Sequence, residues 1–368
     1  MLRGQDYSPK KGWAKPSEVF KVSPEVEEKY ANARVGRGDL IITIVGHYTG
    51  HVEIIPNWLD GANLTQTTAR ISTDGKLVDP TFMKNELRSQ RVQKQVDENT
   101  KGAAQPGLNC SDVSDFLVVL PPLKEQQAIA EVLSDVDAEI ESLARRHEKL
   151  ISQKQGLSEE LLSGRTRLVE AKSKGFKQTE VGVIPEDWEL TTIDASCSIL
   201  DSQRIPLNSN ERLKRQGIFP YCGANGILDF VDDFLIDDEV VLLAEDGGQF
   251  DEFKTRPICY HFKGKFWPNN HVHVLKGGAG LETKYLFFRF EHKDITPFIN
   301  GGTRSKLNQG DMREIKFSLP PLPEQQAIAE VLSDVDAEIQ AVAKLKAKVQ
   351  AKKEGLMQTL LTGKIRLT

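Results

Sequence analysis

The side chains of this 368-residue chain that could do chemistry are scattered rather than clustered. His271 and His273 stand two apart, the spacing of two ligands on one face of a strand. No third carboxylate or cysteine stands at ligand spacing beside them, which disfavours a metal centre. The four cysteines (Cys110, Cys197, Cys222, Cys259) form no CxxC pair, so they suggest a reducing compartment, the cytoplasm, and argue against zinc. The paired acids Asp232-Asp233 and Asp237-Asp238 read as solvated turns rather than a nuclease centre. There is no glycine-rich cofactor loop, no Walker lysine motif and no methyltransferase tetrapeptide of the NPPY or DPPY kind. LPPL, at 120–123 and 319–322, lacks the polar first and aromatic fourth residues of that motif. No cofactor and no metal are expected.

The elements that must position any functional side chain are marked by a repeat. Residues 120–140 and 319–339 read LPPLKEQQAIAEVLSDVDAEI and LPPLPEQQAIAEVLSDVDAEI, differing only at Lys124/Pro323, at an offset of 199. A period of that size means two copies of a whole unit, giving the order domain–helix–domain–helix. Identity extends to surface-type positions such as Gln126/Gln325, Glu131/Glu330 and Asp137/Asp336, which packing alone would let drift. The next twenty positions, 141–160 against 340–359, keep only five identities. A partner bound twice would hold one short surface fixed while its surroundings diverge. Hydrophobic content of 39% and charged content of 27% suit ordinary globular domains, and the net charge of −5 says less than its distribution.

Each repeat opens with strand-like residues, DFLVVLPPL and EIKFSLPPL, stopped by a proline pair. A long helix follows. Positions 129, 133, 136, 140, 143, 147, 150, 154, 157 and 161, and their counterparts from 328 to 360, form a 4-3 stripe, the pattern of a coiled coil. Its polar interruptions, His147/Lys154 and Lys346/Lys353, read either as tolerated defects or as devices fixing register. The first helix carries five acids and no Lys or Arg from 125 to 140. The stretch 341–368 carries seven bases against one acid. An antiparallel pair puts acid beside base, with pseudo-twofold symmetry and the two domains at opposite ends of helices roughly 57 Å long. The expected class is therefore α/β (α+β), with domains at 1–119 and 166–318 and spacer helices at 120–165 and 319–368. Central strands are expected at Asp39–Val45 and Glu239–Ala244, each followed by glycines. Late in each domain the offset returns, matching Gly102, Leu108, Asn109 and Asp112 to Gly301, Leu307, Asn308 and Asp311.

These features resemble the specificity subunits of type I restriction–modification systems. The paired LPPLxEQQAIAEVLSDVDAEI segments, GVIPEDWEL at 182–190 and the helix ends LLSGRTRL and LLTGKIRL carry the resemblance. It implies two target-recognition domains, each reading half of a split, asymmetric target in double-stranded DNA. It also implies an antiparallel helical spacer that sets the gap between half-sites. The implied partners are two methyltransferase subunits and, optionally, two endonuclease/translocase subunits, with no catalysis from this chain and no membrane. The competing classes are an architectural coiled-coil protein that binds proteins, and a stand-alone nuclease or methyltransferase.

Phosphate contacts need Lys or Arg, and base reading needs Arg, Asn, Gln or His on projecting elements. The candidates in the first domain are Arg3, Lys10, Lys11, His47, Tyr48, Gln66, Arg88, Arg91 and Lys101. In the second they are Arg204, Lys254, Arg256, His271, His273, Arg304 and Lys306. A solvated side chain or a satisfied core histidine is the competing reading for each. The acidic faces of the repeat, with Glu131 and Asp135 in one copy and Glu330 and Asp334 in the other, are the expected docking surface for the methyltransferase subunits. The second domain is introduced by residues 176–200, whereas Met1 falls at position 200 of the repeat. The first domain is thus expected to lack about twenty-four leading residues, among them any counterpart of Trp188. It is expected to be the less stable half with the weaker DNA contacts.

Overall fold

Two long helices, Leu123–Leu162 and Leu322–Leu360, occupy the segments marked by the 4-3 stripe. Each is followed within one turn by a glycine in the left-handed region, Gly164 (φ 72°) and Gly363 (φ 71°), where a side chain would be strained. The computed structural model describes residues 1–9, 12–101, 107–170, 175–301 and 305–367. The chain forms two compact units, residues 1–146 with 342–368, and residues 147–341, so each unit holds the first half of one long helix and the second half of the other. Among the described residues no helix is long and apolar enough to cross a membrane.

Inside each unit the helical halves run antiparallel, because partners fall in number on one helix as they rise on the other. In the first unit Arg366 donates to Glu125 at 2.6 Å and Lys353 to Asp137 at 2.7 Å. In the second, Arg167 donates to Glu324 at 2.6 Å and Lys154 to Asp336 at 2.8 Å. These pairs interchange under the 199-residue offset. The stripe lysines therefore fix register: a shift by one turn would strip both half-buried aspartates of their partners.

The first unit is built on strand Leu40–Thr43, which pairs antiparallel with Val52–Ile54 and Thr68–Ile71. Leu40 and Ile42 face one apolar cluster and Ile41 another. That two-sided burial explains a continuous apolar run where alternation would mark a half-exposed strand. The second unit repeats the logic on a larger scale. Its six strands run in the order 226–231, 216–223, 259–268, 236–244, 272–277, 197–199. All pairs are antiparallel except 216–223 with 259–268. Val240 and Leu242 face one cluster, Val241 and Leu243 the other.

Two sequence expectations change. Residues 316–319 form a strand, paired antiparallel with Glu189–Thr192, but the matching residues 117–120 form none. They are the more apolar of the two (LVVL against KFSL) but have no partner strand within the described residues, and a lone extended segment has no ladder to complete. The identity of Glu125/Glu324, Gln126/Gln325 and Asp137/Asp336 is also explained inside the protein. Gln126 accepts from Asp79 N and donates to Leu77 O and Pro121 O. Gln325 accepts from Glu282 N and donates to Gly280 O and Pro320 O. Each glutamine thereby docks the N-cap residue of a domain helix, Pro80–Leu87 or Thr283–Glu291, against the start of a long helix. Among the described residues Glu131, Asp135, Glu330 and Asp334 are the exposed acidic pairs of the identical stretch for which no such internal role is seen.

Candidate nucleic-acid interface

In each unit the central strand runs out into a glycine-containing loop, and a late hairpin is laced onto that loop. In the first unit Val45 and Lys101 each bridge to Gly107, and Leu108 N donates to Ile44 O at 2.7 Å. In the second, Asp246 and Asn300 each bridge to Lys306, and Leu307 N donates to Glu245 O at 2.8 Å. Leu108 and Leu307 are buried, which pins the hairpins, and Asn109 and Asn308 start the short helices behind them. The repeated framework thus presents a loop and a hairpin at the C-terminal end of each central strand, with different side chains on each.

The structure gathers five first-unit candidates there. His47 and Tyr48 lie in the loop after the strand, with ring centroids 4.8 Å apart and His47 exposed. Lys101 stands exposed at the hairpin. Gln66 precedes Thr67, whose carbonyl accepts from Ile44 N and Val45 N, and Arg3 precedes Gly4, whose N donates to the Thr67 hydroxyl. Arg88 and Arg91 are committed elsewhere. Arg88 binds Val52 O and Glu53; Arg91 binds buried Glu86 and Leu361 O. Their positive charge is neutralised inside the fold, so they are removed from the candidate surface. Lys10, Lys11 and Arg304 lie outside the described residues.

In the second unit Arg204, His271, His273 and Lys306 surround Glu245 and Asp246. Arg204 donates to Glu245 at 2.5 Å and to Val272 O at 2.7 Å, and Lys306 lies 2.9 Å from Glu245. His271 Nδ1 lies 2.5 Å from Asp246 and keeps a third of its side chain exposed. His273 is fully buried, its two ring nitrogens facing Asp201 at 2.6 Å and Leu307 O at 2.9 Å. The sequence reading of His273 as a DNA contact is corrected: it ties the hairpin's last residue to the sheet from within. Lys254 and Arg256 are exposed but belong to a separate turn, 250–257, where Arg256 pairs with Glu252.

Asp201, Glu245 and His273 bring ligand atoms within 4.8 Å of one another, the geometry of a cation site. Their lone pairs are already engaged, however. Arg204 and Lys306 neutralise Glu245, while His273, Val274 N and Gln309 bind Asp201. Burial alone would raise the Asp201 pKa, yet those bonds hold it below the ordinary carboxylate value. The cluster is a closed ion network that shapes the loop, and a divalent cation would have to displace a guanidinium and an ammonium. Burial pushes the Cys197 and Cys222 thiols up to about 12, so neither is a ready nucleophile. Sequence reasoning missed Asn225, exposed and bonded to Gly247 O, although Gly-Ala-Asn-Gly between two strands is a legible turn signal.

The family model of the type I restriction modification DNA specificity domain matches residues 7–151 and 185–351. The MjaVIII specificity subunit of Methanocaldococcus jannaschii is 26% identical over 334 residues, covering 83% of this chain and 74% of the relative. The putative MjaX specificity subunit of the same organism is 29% identical over 284 residues, covering 72% of this chain and 62% of the relative. A putative type I specificity subunit of Haemophilus influenzae, S.HindORF215P, is 34% identical over 151 residues. That alignment covers 41% of this chain and 37% of the relative, so the chain spans less than two thirds of two of these proteins. The crystal structure of a type I restriction-modification S subunit from M. genitalium shares the fold with a TM-score of 0.59 at 15% identity, covering 98% of this chain and 91% of that one.

Proposed function

Because the chain belongs to the type I restriction–modification DNA specificity family, we propose that it is the DNA sequence-specificity subunit of such a complex, each unit reading one half of a bipartite, asymmetric target in double-stranded DNA. One observation carries this reading: the same loop-and-hairpin frame recurs at the end of both central strands with unlike side chains on it. A repeated frame with diverged tips suits a protein that reads two different half-sites. His47, Tyr48, Gln66 and Lys101 serve the first half-site, while Arg3 is set aside with Arg88 and Arg91 because both its prongs bind buried Asp6. His271 and Lys306, with Arg304 two residues before Lys306 in the sequence, serve the second, with Lys254 and Arg256 as outlying phosphate contacts; Arg204 is set aside because Glu245, Asp201 and Val272 O hold it inside the fold.

The chain supplies recognition, and catalysis comes from partners in the cytoplasm. The exposed carboxylates Glu131 and Asp135, and their copies Glu330 and Asp334, dock two methyltransferase subunits, one per repeat; two endonuclease/translocase subunits join through them. The test is to co-express the chain with a methyltransferase partner and map the methylated sequence. Alanine at His47 and Tyr48 should relax one half of that sequence only, and alanine at His271 the other half only. A single substitution that alters both halves, or DNA cleavage or methylation by the purified chain alone, overturns the assignment.

A further inference from the structure

Gln126 and Gln325 seat one domain helix of each unit against a long helix, and that domain helix carries different charges in the two units. Seven residues after the N-cap Asp79 the first unit has Glu86, buried and paired with Arg91. Seven residues after the N-cap Glu282 the second unit has Arg289, and four further on comes Lys293. Two cations thus stand where the first unit has an ion pair. Among the described residues neither has a carboxylate at ion-pair distance, and Arg289 Nε is buried with no hydrogen-bond partner. Burial, then the Arg289 charge, push the Lys293 ammonium from 10.5 down to about 8, and Asp294 offsets this only in part. Asp294 is itself bonded to Thr296, and it feels Lys254 as well as Lys293, which brings a third cation into the same neighbourhood.

All three cations line a cavity of about 910 Å³ inside the second unit. Its other walls are the later turns of the first long helix and the hairpin of strands Phe176–Thr179 and Gly182–Pro185. His292 Nδ1 lies 2.7 Å from Phe253 O, and Ile258 N donates to Glu291 O at 3.0 Å. These bonds fasten the turn that carries Lys254 to the helix that carries Arg289, so the cavity is preformed. The acids that line it are engaged: Lys154 holds Glu291 and Asp336, and Arg165 holds Glu159. Ile151 and Val183 stand exposed in the same space, beside Ile184 and Phe288. A preformed concavity with apolar walls and a few convergent polar groups is the form of a small-molecule site. Partly buried cations without a counter-charge are costly, and an anion in the cavity would supply one.

We propose that this cavity binds a small phosphate ester carrying an apolar or aromatic body. The phosphate lies between Arg289 and Lys293, with Lys254 as a further counter-charge, and the body lies against Val183, Ile184 and Phe288. A dianionic head suits this group of cations better than a monoanionic carboxylate does, and a guanidinium offers it paired donors. The site is separate from the loop and hairpin of the candidate nucleic-acid interface, since none of its lining residues falls in 245–248 or 300–307.

The experiment titrates the full chain with phenyl phosphate by calorimetry, and one saturable site should appear. Inorganic phosphate has only the head and benzyl alcohol only the body, so each should bind at least about tenfold more weakly. Arg289→Gln and Lys293→Met should each weaken phenyl phosphate by at least about tenfold. Lys293→Met also has a readout without ligand: losing an unpaired, partly buried cation should raise the thermal midpoint of the chain. The test therefore stands even if the Arg289 variant folds poorly. The proposal is overturned by a lack of saturable binding, by equal binding to the Lys293 variant, by a lowered midpoint in that variant, or by benzoate binding more tightly than phenyl phosphate. Displacement of phenyl phosphate by a duplex of arbitrary sequence would also overturn it, by making these cations part of a DNA backbone surface.

Discussion

Among the described residues the second unit leaves two buried polar atoms without a hydrogen-bond partner, Arg289 Nε and Ser318 Oγ, and the first leaves four. His273 has a partner at each ring nitrogen, and Glu245, Asp201, Arg204 and Lys306 complete one another around it. In the first unit the buried atoms His51 Nε2, Asn85 Oδ1, Glu86 Oε2 and Arg91 Nε have no hydrogen-bond partner among the described residues. His51 is held instead by stacking on Tyr7, with centroids 5.8 Å apart. The difference teaches that a shared backbone frame does not require a shared interior. The frame needs a buried leucine and a laced hairpin, and each unit satisfies the remaining groups with whatever residues it has.

The largest effect that would sharpen this contrast is at Trp188. Trp188→Ala removes a fully buried indole and one bond to Glu324, and should cost about 3–5 kcal/mol. Native-state hydrogen exchange should show the loss in the second unit's amides. Equal loosening of both units would mean that they do not differ in this way.

Acid should act first on the first unit. Burial, then the nearby Arg88 charge, push the His51 pKa from 6.5 down to about 4. A folded-state value below the unfolded one means the unfolded chain binds the extra proton. The contribution is fully present above about pH 6.5 and is lost as pH falls toward 4, a swing of roughly 3 kcal/mol. Stability measured across that window should fall in the wild type and flatten in His51→Gln.

The stripe lysines give the next contrast. Lys154 serves two acids, Asp336 and Glu291, while Lys353 serves Asp137 alone. Lys154→Met strands two partly buried carboxylates and should cost roughly 2–3 kcal/mol. Lys353→Met faces a more exposed partner and should cost about 1 kcal/mol. Chemical denaturation of the two variants compares them directly, and equal losses would erase the distinction.

The smallest effect is expected at the outward carboxylates. Glu131→Lys with Asp135→Lys should change stability by no more than about 0.5 kcal/mol, since both side chains are exposed. The same double change should remove one of two bound methyltransferase copies in native mass spectra, and the Glu330 and Asp334 equivalents should remove the other. Retention of two copies by a variant changed at all four positions would return these faces to plain solvent exposure.

Much of the architecture was legible in the residues. The 199-residue offset, the proline pairs, the 4-3 stripe and the acid-rich and base-rich halves foretold two long helices and their antiparallel pairing. Helical periodicity and charge are local signals that survive without knowledge of the fold. The apolar runs within Asp39–Val45 and Glu239–Ala244 likewise announced buried strands, but Asp237 and Asp238, read as a solvated turn, lie inside the strand Ile236–Ala244, where ladder partners on the neighbouring strand extend it past the apolar run.

The site was less legible, because a polar side chain's role depends on partners far away in the chain. Nothing near His273 in sequence shows that Asp201 and Leu307 claim both its nitrogens, and nothing near Arg91 shows that Glu86 and Leu361 O hold it. The identical Gln126 and Gln325 looked like surface kept for a partner, yet they are hydrogen-bonded inside the protein to domain residues more than forty positions away. Residues 117–120 show the limit most plainly. Their composition specifies a strand as well as that of 316–319 does, but a strand exists only where a second segment completes its hydrogen bonds. Sequence alone determined which segments could be helix or strand and that the plan occurs twice. The tertiary structure decided which charges face outward and which strand is completed, because burial and hydrogen-bond partnership arise only when distant segments meet.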